Sequence, residues 1–151
     1  MNCLEKNLRG LRGSYVLFVC CRSSVSICTR HRFFLVEKGL YAYVGSGMGP
    51  GGVFTRIKRH ACVLGKPFWH IDYLLRSGCT AVGFVVLPGV NEKDVASALS
   101  SMHEYVVGFG CSDDPSSPSH LFVVKDIFGV CSFLARRGLR ISMGVMLGDC
   151  S

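Results

Sequence analysis

From Gly45 to Gly52 the chain reads GSGMGPGG, five glycines and a proline within eight residues. Such a run holds neither a helix nor a strand, because glycine has the most backbone freedom to lose and proline has no amide to donate. It is a turn, and it separates two segments of different period. Before it, LYAYVGS is rich in β-formers and places Tyr41 and Tyr43 two residues apart, on one face of a strand. After it, Val53, Ile57, Ala61 and Leu64 recur at helical spacing and form the apolar stripe of an amphipathic helix. The pattern predicts strand Gly39–Ser46, a glycine turn, and helix Gly52–Leu64. On that helix Arg56 and His60 are four residues apart and flank the stripe, so both point across the helix edge toward the preceding strand. Lys58 and Arg59 are expected to face away.

The same reading along the rest of the chain predicts strand Ser14–Cys21, a polar hairpin region from Ser23 to Arg32, strand Thr80–Leu87, helix Glu92–Met102, strand His120–Lys125 and helix Phe128–Arg137. The Ser/Pro-rich stretch CSDDPSSPS is too short to link domains. These elements imply an α+β fold, a small mixed and mainly antiparallel sheet flanked by helices. Residues 1–12 read as an N-terminal extension, 13–126 as the domain, and 127–151 as a C-terminal helix and tail packed on it.

At 151 residues the chain suits a single core, and 49% hydrophobic content excludes a disordered chain. Seventeen Lys and Arg against ten Asp and Glu give a net charge of +7. Basic charge of this size attracts polyanions, with nucleic acid the first partner to consider, although a solvated basic surface has the same composition. The first residues lack the apolar core of a signal peptide, and no apolar run approaches the ~18 residues of a membrane span. The expected compartment is cytoplasmic, with no membrane partner. The nine cysteines contain no CxxC pair and are expected as small buried hydrophobes, with disulfides the alternative for a hyperthermophilic source.

Three blocks carry a family resemblance: Gly13-Ser14-Tyr15 on the first strand, Tyr43-Val44-Gly45 on the second, and the helix bearing Arg56 and His60. Together they resemble the GIY-YIG nuclease superfamily. WHIDYLL at Trp69 to Leu75, GFGCSD at Gly108 to Asp113 and SHLF at Ser119 to Phe122 are similar to its branch known as domain of unknown function 123. The resemblance covers roughly Gly13 to Phe122, and the combination of blocks is specific where each alone is weak.

The resemblance implies metal-dependent hydrolysis of nucleic-acid phosphodiesters, with a non-catalytic binding module of the same fold as the alternative. It gives Tyr15 and Tyr43 the paired tyrosine roles, Arg56 the transition-state charge and His60 proton transfer. Glu92 would hold one divalent cation, Mg or Mn, with Asp94 as the substitute; a carboxylate there also suits a helix N-terminus. Gly45, Ser46 and Arg59 are candidate phosphate contacts. A second site is sketched by His70 and Asp72, which share a face only if that stretch is extended, and by Cys111, Asp113 and His120; structural hydrogen bonding is the alternative for both clusters. Tyr15, Tyr43, Arg56 and His60 should line one concave surface, with the tyrosines on one face of the sheet. Gly47, Gly49 and Gly52, with Asp72 twenty residues beyond, also match a dinucleotide fingerprint, but no second βαβ half accompanies it.

Overall fold

The structure, a computed structural model, describes residues 8–112, 114–141, 143–148 and 150. In chain order its elements are β1 (Gly13–Cys21), β2 (Val25–Cys28), β3 (Phe33–Val36), β4 (Gly39–Ser46), α1 (Gly52–Cys62), α2 (His70–Arg76), β5 (Thr80–Pro88), α3 (Glu92–Ser100), β6 (Leu121–Val124), α4 (Ile127–Arg136) and β7 (Met143–Met146). Five strands form one sheet in the order β6-β4-β1-β5-β7, and β2 pairs with β3 in a separate hairpin. The α+β class is as expected, but the sheet is not mixed: every pairing among the described strands is antiparallel. The reason is that β4 and β5 run the same way but never touch. Strand β1 lies between them in the opposite direction, and α1 and α2 carry the chain across.

All nine residues of β1 are buried, which requires cover on both faces of the sheet. Tyr15, Leu17, Val19 and Cys21 point to one side, where they meet Val53 and Ile57 of α1, Leu74 of α2 and Phe34 of the hairpin. Val16, Phe18 and Cys20 point to the other, against Val95 and Leu99 of α3 and Leu134 of α4. Period-2 alternation thus assigns the two tyrosines, Tyr15 and Tyr43, to the α1 face together.

Helix α1 differs from the expected stripe in an informative way. It ends at Cys62, where Val63 adopts a left-handed conformation (φ 50°) and the Leu64 amide turns back to the Arg59 carbonyl at 2.9 Å. Ala61 and Leu64 are exposed, and His60 fills the inward position after Val53 and Ile57, a buried i, i+4, i+7 set. Strand β7 lies in the stretch expected as a tail and instead pairs with β5. The cysteine expectation also needs correction. Cys21 is bonded to Cys79 and Cys20 to Cys150, with Cα separations of 4.4 and 5.5 Å, so four of the thiols are cross-links rather than free hydrophobes.

Two glycines of the turn are fixed by space. In the β1–β4 register Gly45 sits opposite Tyr15, and a Cβ there would overlap the tyrosine ring. Gly52 opens α1 with φ 63° against the Leu11 carbonyl, a position closed to other side chains. Gly45→Ala should therefore destabilise the domain by about 1–3 kcal/mol, the usual cost of forcing extra volume into a packed site. Urea unfolding of the variant measures this, and a stability equal to the parent would show that the ring can move aside.

Candidate active site

The functional side chains meet at one end of the sheet, because antiparallel neighbours bring alternate termini together. Tyr15 is near the start of β1, Ser46 ends β4, Glu92 opens the helix after β5, and His120 immediately precedes β6. With Arg56 and His60 of α1, Trp69, Gly110 and Asp114 they and Tyr43 line a cavity of about 140 Å³. Its lining is mostly polar and includes Arg56, whose guanidinium lies 3.9 Å from the centre of the Trp69 ring. That stacking holds a flexible cation against the cavity without neutralising it.

Tyr15 is 2% exposed, and its hydroxyl lies 2.7 Å from Nε2 of His60, itself 2% exposed. His60 Nδ1 has no hydrogen-bond partner among the described residues; Oδ1 of Asp72, at 3.7 Å, is the carboxylate oxygen facing it. A ring whose Nδ1 faces a carboxylate keeps its hydrogen there, which leaves Nε2 to accept the Tyr15 O–H. Burial raises the pKa of Tyr15 well above the ordinary value near 10, and neighbouring Tyr43 adds to the shift while Arg56 opposes it. Tyr43 is raised as well, again by burial first, with Glu92 and Asp72 adding to it.

Asp72 serves four neighbours, His60 at Oδ1 and three more at Oδ2. Its Oδ2 accepts hydrogen bonds from Arg59 Nη2 at 2.9 Å and from the amides of Phe68 and Trp69 at 2.9 and 3.0 Å, which closes the first turn of α2. Burial pushes its pKa up, but His60, Arg59 and the two amides outweigh that and hold the carboxyl well below the usual range. On the opposite wall His120 Nε2 is 2.9 Å from Asp114 Oδ2, and its Nδ1 is 3.2 Å from the Val44 carbonyl and 3.8 Å from Glu92 Oε2. Asp114 is also depressed, because bonds from Ser116, Ser117 and His120 overcome its burial.

The residues expected together, Tyr15, Tyr43, Arg56, His60, Glu92 and Ser46, all line this cavity. Three expectations are corrected. Arg59 does not face away or present itself to phosphate: it is bound to Asp72 and to the Lys66 carbonyl, with the Trp69 ring 5.1 Å from its guanidinium. Gly45 is the floor under Tyr15. The proposed second site dissolves, because Trp69–Asp72 enters a helix, so His70 and Asp72 diverge. Asp72 turns to His60 and Arg59, whereas His70 Nδ1 accepts the Gly110 amide at 2.8 Å.

His120 belongs to the first cavity, brought there by the pairing of β6 with β4. Cys111 is half-buried, its thiol donates to the Phe109 carbonyl, and burial followed by Asp114 pushes its pKa up to about 11. Asp113 lies outside the described residues, and Asp94 is exposed away from the cavity. The dinucleotide alternative also fails, since the glycine turn serves an antiparallel sheet and Asp72 is committed inside. Sequence reasoning overlooked Trp69 as a support and Asp114 as the partner of His120.

Among the described residues no three His, Cys, Asp or Glu side chains gather as a metal cage. The carboxylates that line the cavity are Glu92 and Asp114, and carboxylate oxygens are the donors that suit a hard cation. The two depressed carboxyls also set an acid limit. Stabilisation from a lowered carboxyl pKa is complete above the unfolded value of about 4 and is lost as pH falls through the folded value. The urea midpoint should hold near neutrality and drop below about pH 4, with a shallower acid dependence in Asp72→Asn. An unchanged pH profile in that variant would remove Asp72 from this role.

Neither the curated proteins nor the solved structures contain a match to the chain. A family does match: the domain of unknown function DUF123, over residues 14–140, which takes in every residue of the cavity and all the described elements from β1 to α4 except its first residue. No described helix is long and apolar enough to cross a membrane. By the extent of that match the chain belongs to the DUF123 family.

Proposed function

We propose that the chain is a GIY-YIG-like endonuclease, which hydrolyses nucleic-acid phosphodiester bonds with a divalent cation, Mg or Mn. The observation that carries this reading is the convergence of Tyr15, Tyr43, Arg56, His60 and Glu92, from four separate elements, on one cavity. The net charge of +7 supports a polyanionic substrate. Because nucleic acid is the substrate, the cytoplasm is the compartment we assign, and the disulfides would then be unusual for a reducing cytosol.

Each side chain has a definite task. Arg56 binds the phosphate and stabilises the charge that grows on it in the transition state. A buried phenolate is costly, so Tyr15 does not act as a preformed base. Its oxygen takes a proton from the attacking water as its own O–H proton passes to His60 Nε2, and Asp72 steadies the imidazolium that results. The Tyr43 hydroxyl orients water or a phosphate oxygen. Glu92 would hold the cation, which when bound neutralises charge on the phosphate. His120, fixed by Asp114, keeps Glu92 in place.

A non-catalytic nucleic-acid-binding module is the second reading, favoured by the raised pKa values of both tyrosines. One variant separates the two. Glu92→Gln should reduce metal-dependent cleavage by a factor on the order of 10³ while binding persists, since charge is lost with little change of shape. Arg56→Ala should lower both. Parent protein that binds nucleic acid but cleaves no DNA or RNA form with Mg or Mn leaves the binding module standing. Tyr15→Phe should slow cleavage by about 10²–10⁴ with substrate affinity intact, the range for loss of a proton-transfer group; a variant cleaving at the parental rate would exclude the relay.

A further inference from the structure

Beside the catalytic cavity lies a larger one, about 360 Å³, between the tip of the β2–β3 hairpin and the start of α2. That volume is at the low end of pockets that enclose a small molecule, about 300–1,000 Å³. Its walls combine the exposed cations Arg30 and Arg32 with Phe68, His70 and Ser112. The hairpin tip is a closed turn: the Thr29 amide donates to the Arg32 carbonyl at 2.8 Å, and the Arg32 amide to Thr29 Oγ1 at 3.1 Å. The Arg32 guanidinium is further held 5.3 Å from the centre of the Phe34 ring, which gives that cation a set position.

The two cavities share a wall in which neighbouring residues face opposite ways. Trp69 and Gly110 line the catalytic side, and Phe68, His70 and Ser112 the other. The bond from the Gly110 amide to His70 Nδ1 joins the two halves of the wall. Because Nδ1 accepts, the hydrogen of a neutral ring is on Nε2, a donor available to a ligand. Burial and then Arg32 hold the His70 pKa below its ordinary value, consistent with a neutral ring. Phe68 packs against Trp69 in a T-shaped contact at 5.0 Å, yet 75% of its surface is exposed. A flat ring and a neutral donor therefore flank Trp69 of the proposed reaction site, and two cations of the hairpin tip line the same second cavity.

We propose that this second cavity receives one unpaired nucleobase of the substrate, from a nucleotide flanking the scissile phosphate. The base stacks on Phe68, a base acceptor meets His70, and the nucleotide's own phosphate meets Arg30 and Arg32. A paired base has its faces covered by its neighbours and its edge by its partner, so entry demands a strand that is single or opened at that position. The inference rests on the nucleic-acid reading and adds a strand preference that the reading alone does not contain.

Equilibrium binding by fluorescence anisotropy in EDTA tests it, with a single-stranded oligonucleotide and a blunt duplex of the same sequence at one salt concentration. Phe68→Ala should weaken single-strand binding about 5- to 150-fold, the range for loss of one base–aromatic stack. Duplex binding should change less than about twofold, and Phe68→Trp should keep the parental affinity for the single strand. Phe68 is on the surface, so a thermal melt matching the parent shows that folding is intact. Unchanged single-strand affinity in Phe68→Ala, or equal losses on both nucleic acids, would overturn the base site while leaving nucleic-acid binding in place. Parent protein that binds neither form would overturn the binding reading and this inference with it.

Discussion

The carboxylate of Asp72 is the contact on which the site depends. It accepts the amides that begin α2, pairs with Arg59 of α1 and faces His60. One buried anion therefore ties two helices together, and it does so at the point where a histidine must be oriented. Removing a partner from such a group leaves an uncompensated charge, which costs far more than an exposed pair contributes. Trp69, the residue before α2, is held by the same oxygen that binds Arg59 and in turn supports Arg56. The chain of support runs from Asp72 through Trp69 to the only cation that lines the cavity among the described residues.

The second constraint is the sheet. With β1 antiparallel to both of its neighbours, strand starts and strand ends collect at one edge, and the long connection between α3 and β6 adds Gly110, Asp114 and His120 to it. Each tyrosine is presented by a rigid central strand, and Tyr15 lies flat only because Gly45 opposite it has no side chain. Strand and helix thereby hold the Tyr15 hydroxyl and His60 Nε2 at 2.7 Å, the close and fixed approach that the proposed relay would need.

Most of this architecture was legible in the chain. Alternation and the glycine run gave β4 to the residue and the start of α1, and the resemblance collected Tyr15, Tyr43, Arg56, His60 and Glu92. Helical periodicity misjudged the last turn of α1, because Ala61 and Leu64 are apolar enough to complete a stripe that His60 in fact completes. Arg59 was misplaced for a related reason: a wheel shows which way a side chain leaves its own helix, not what a neighbouring helix offers it. The location of His120 depends on the pairing of β6 with β4, a long-range contact with no local signature. The same holds for the disulfides, since spacing along the chain does not determine which thiols meet.

Cys20 and Cys21 are consecutive in the central strand, and consecutive strand residues point to opposite faces. Cys21 belongs to the core on the α1 side and Cys20 to the core on the α3 side. The two bridges accordingly leave the sheet in opposite directions, like a rivet driven through a plate. One is anchored before β5 and the other at Cys150, so the ring closed by Cys20 and Cys150 encircles 130 positions of sequence. A protease that cut any loop inside that ring would open the backbone without releasing a fragment, and the nicked chain would keep its single mass until a reductant separated it.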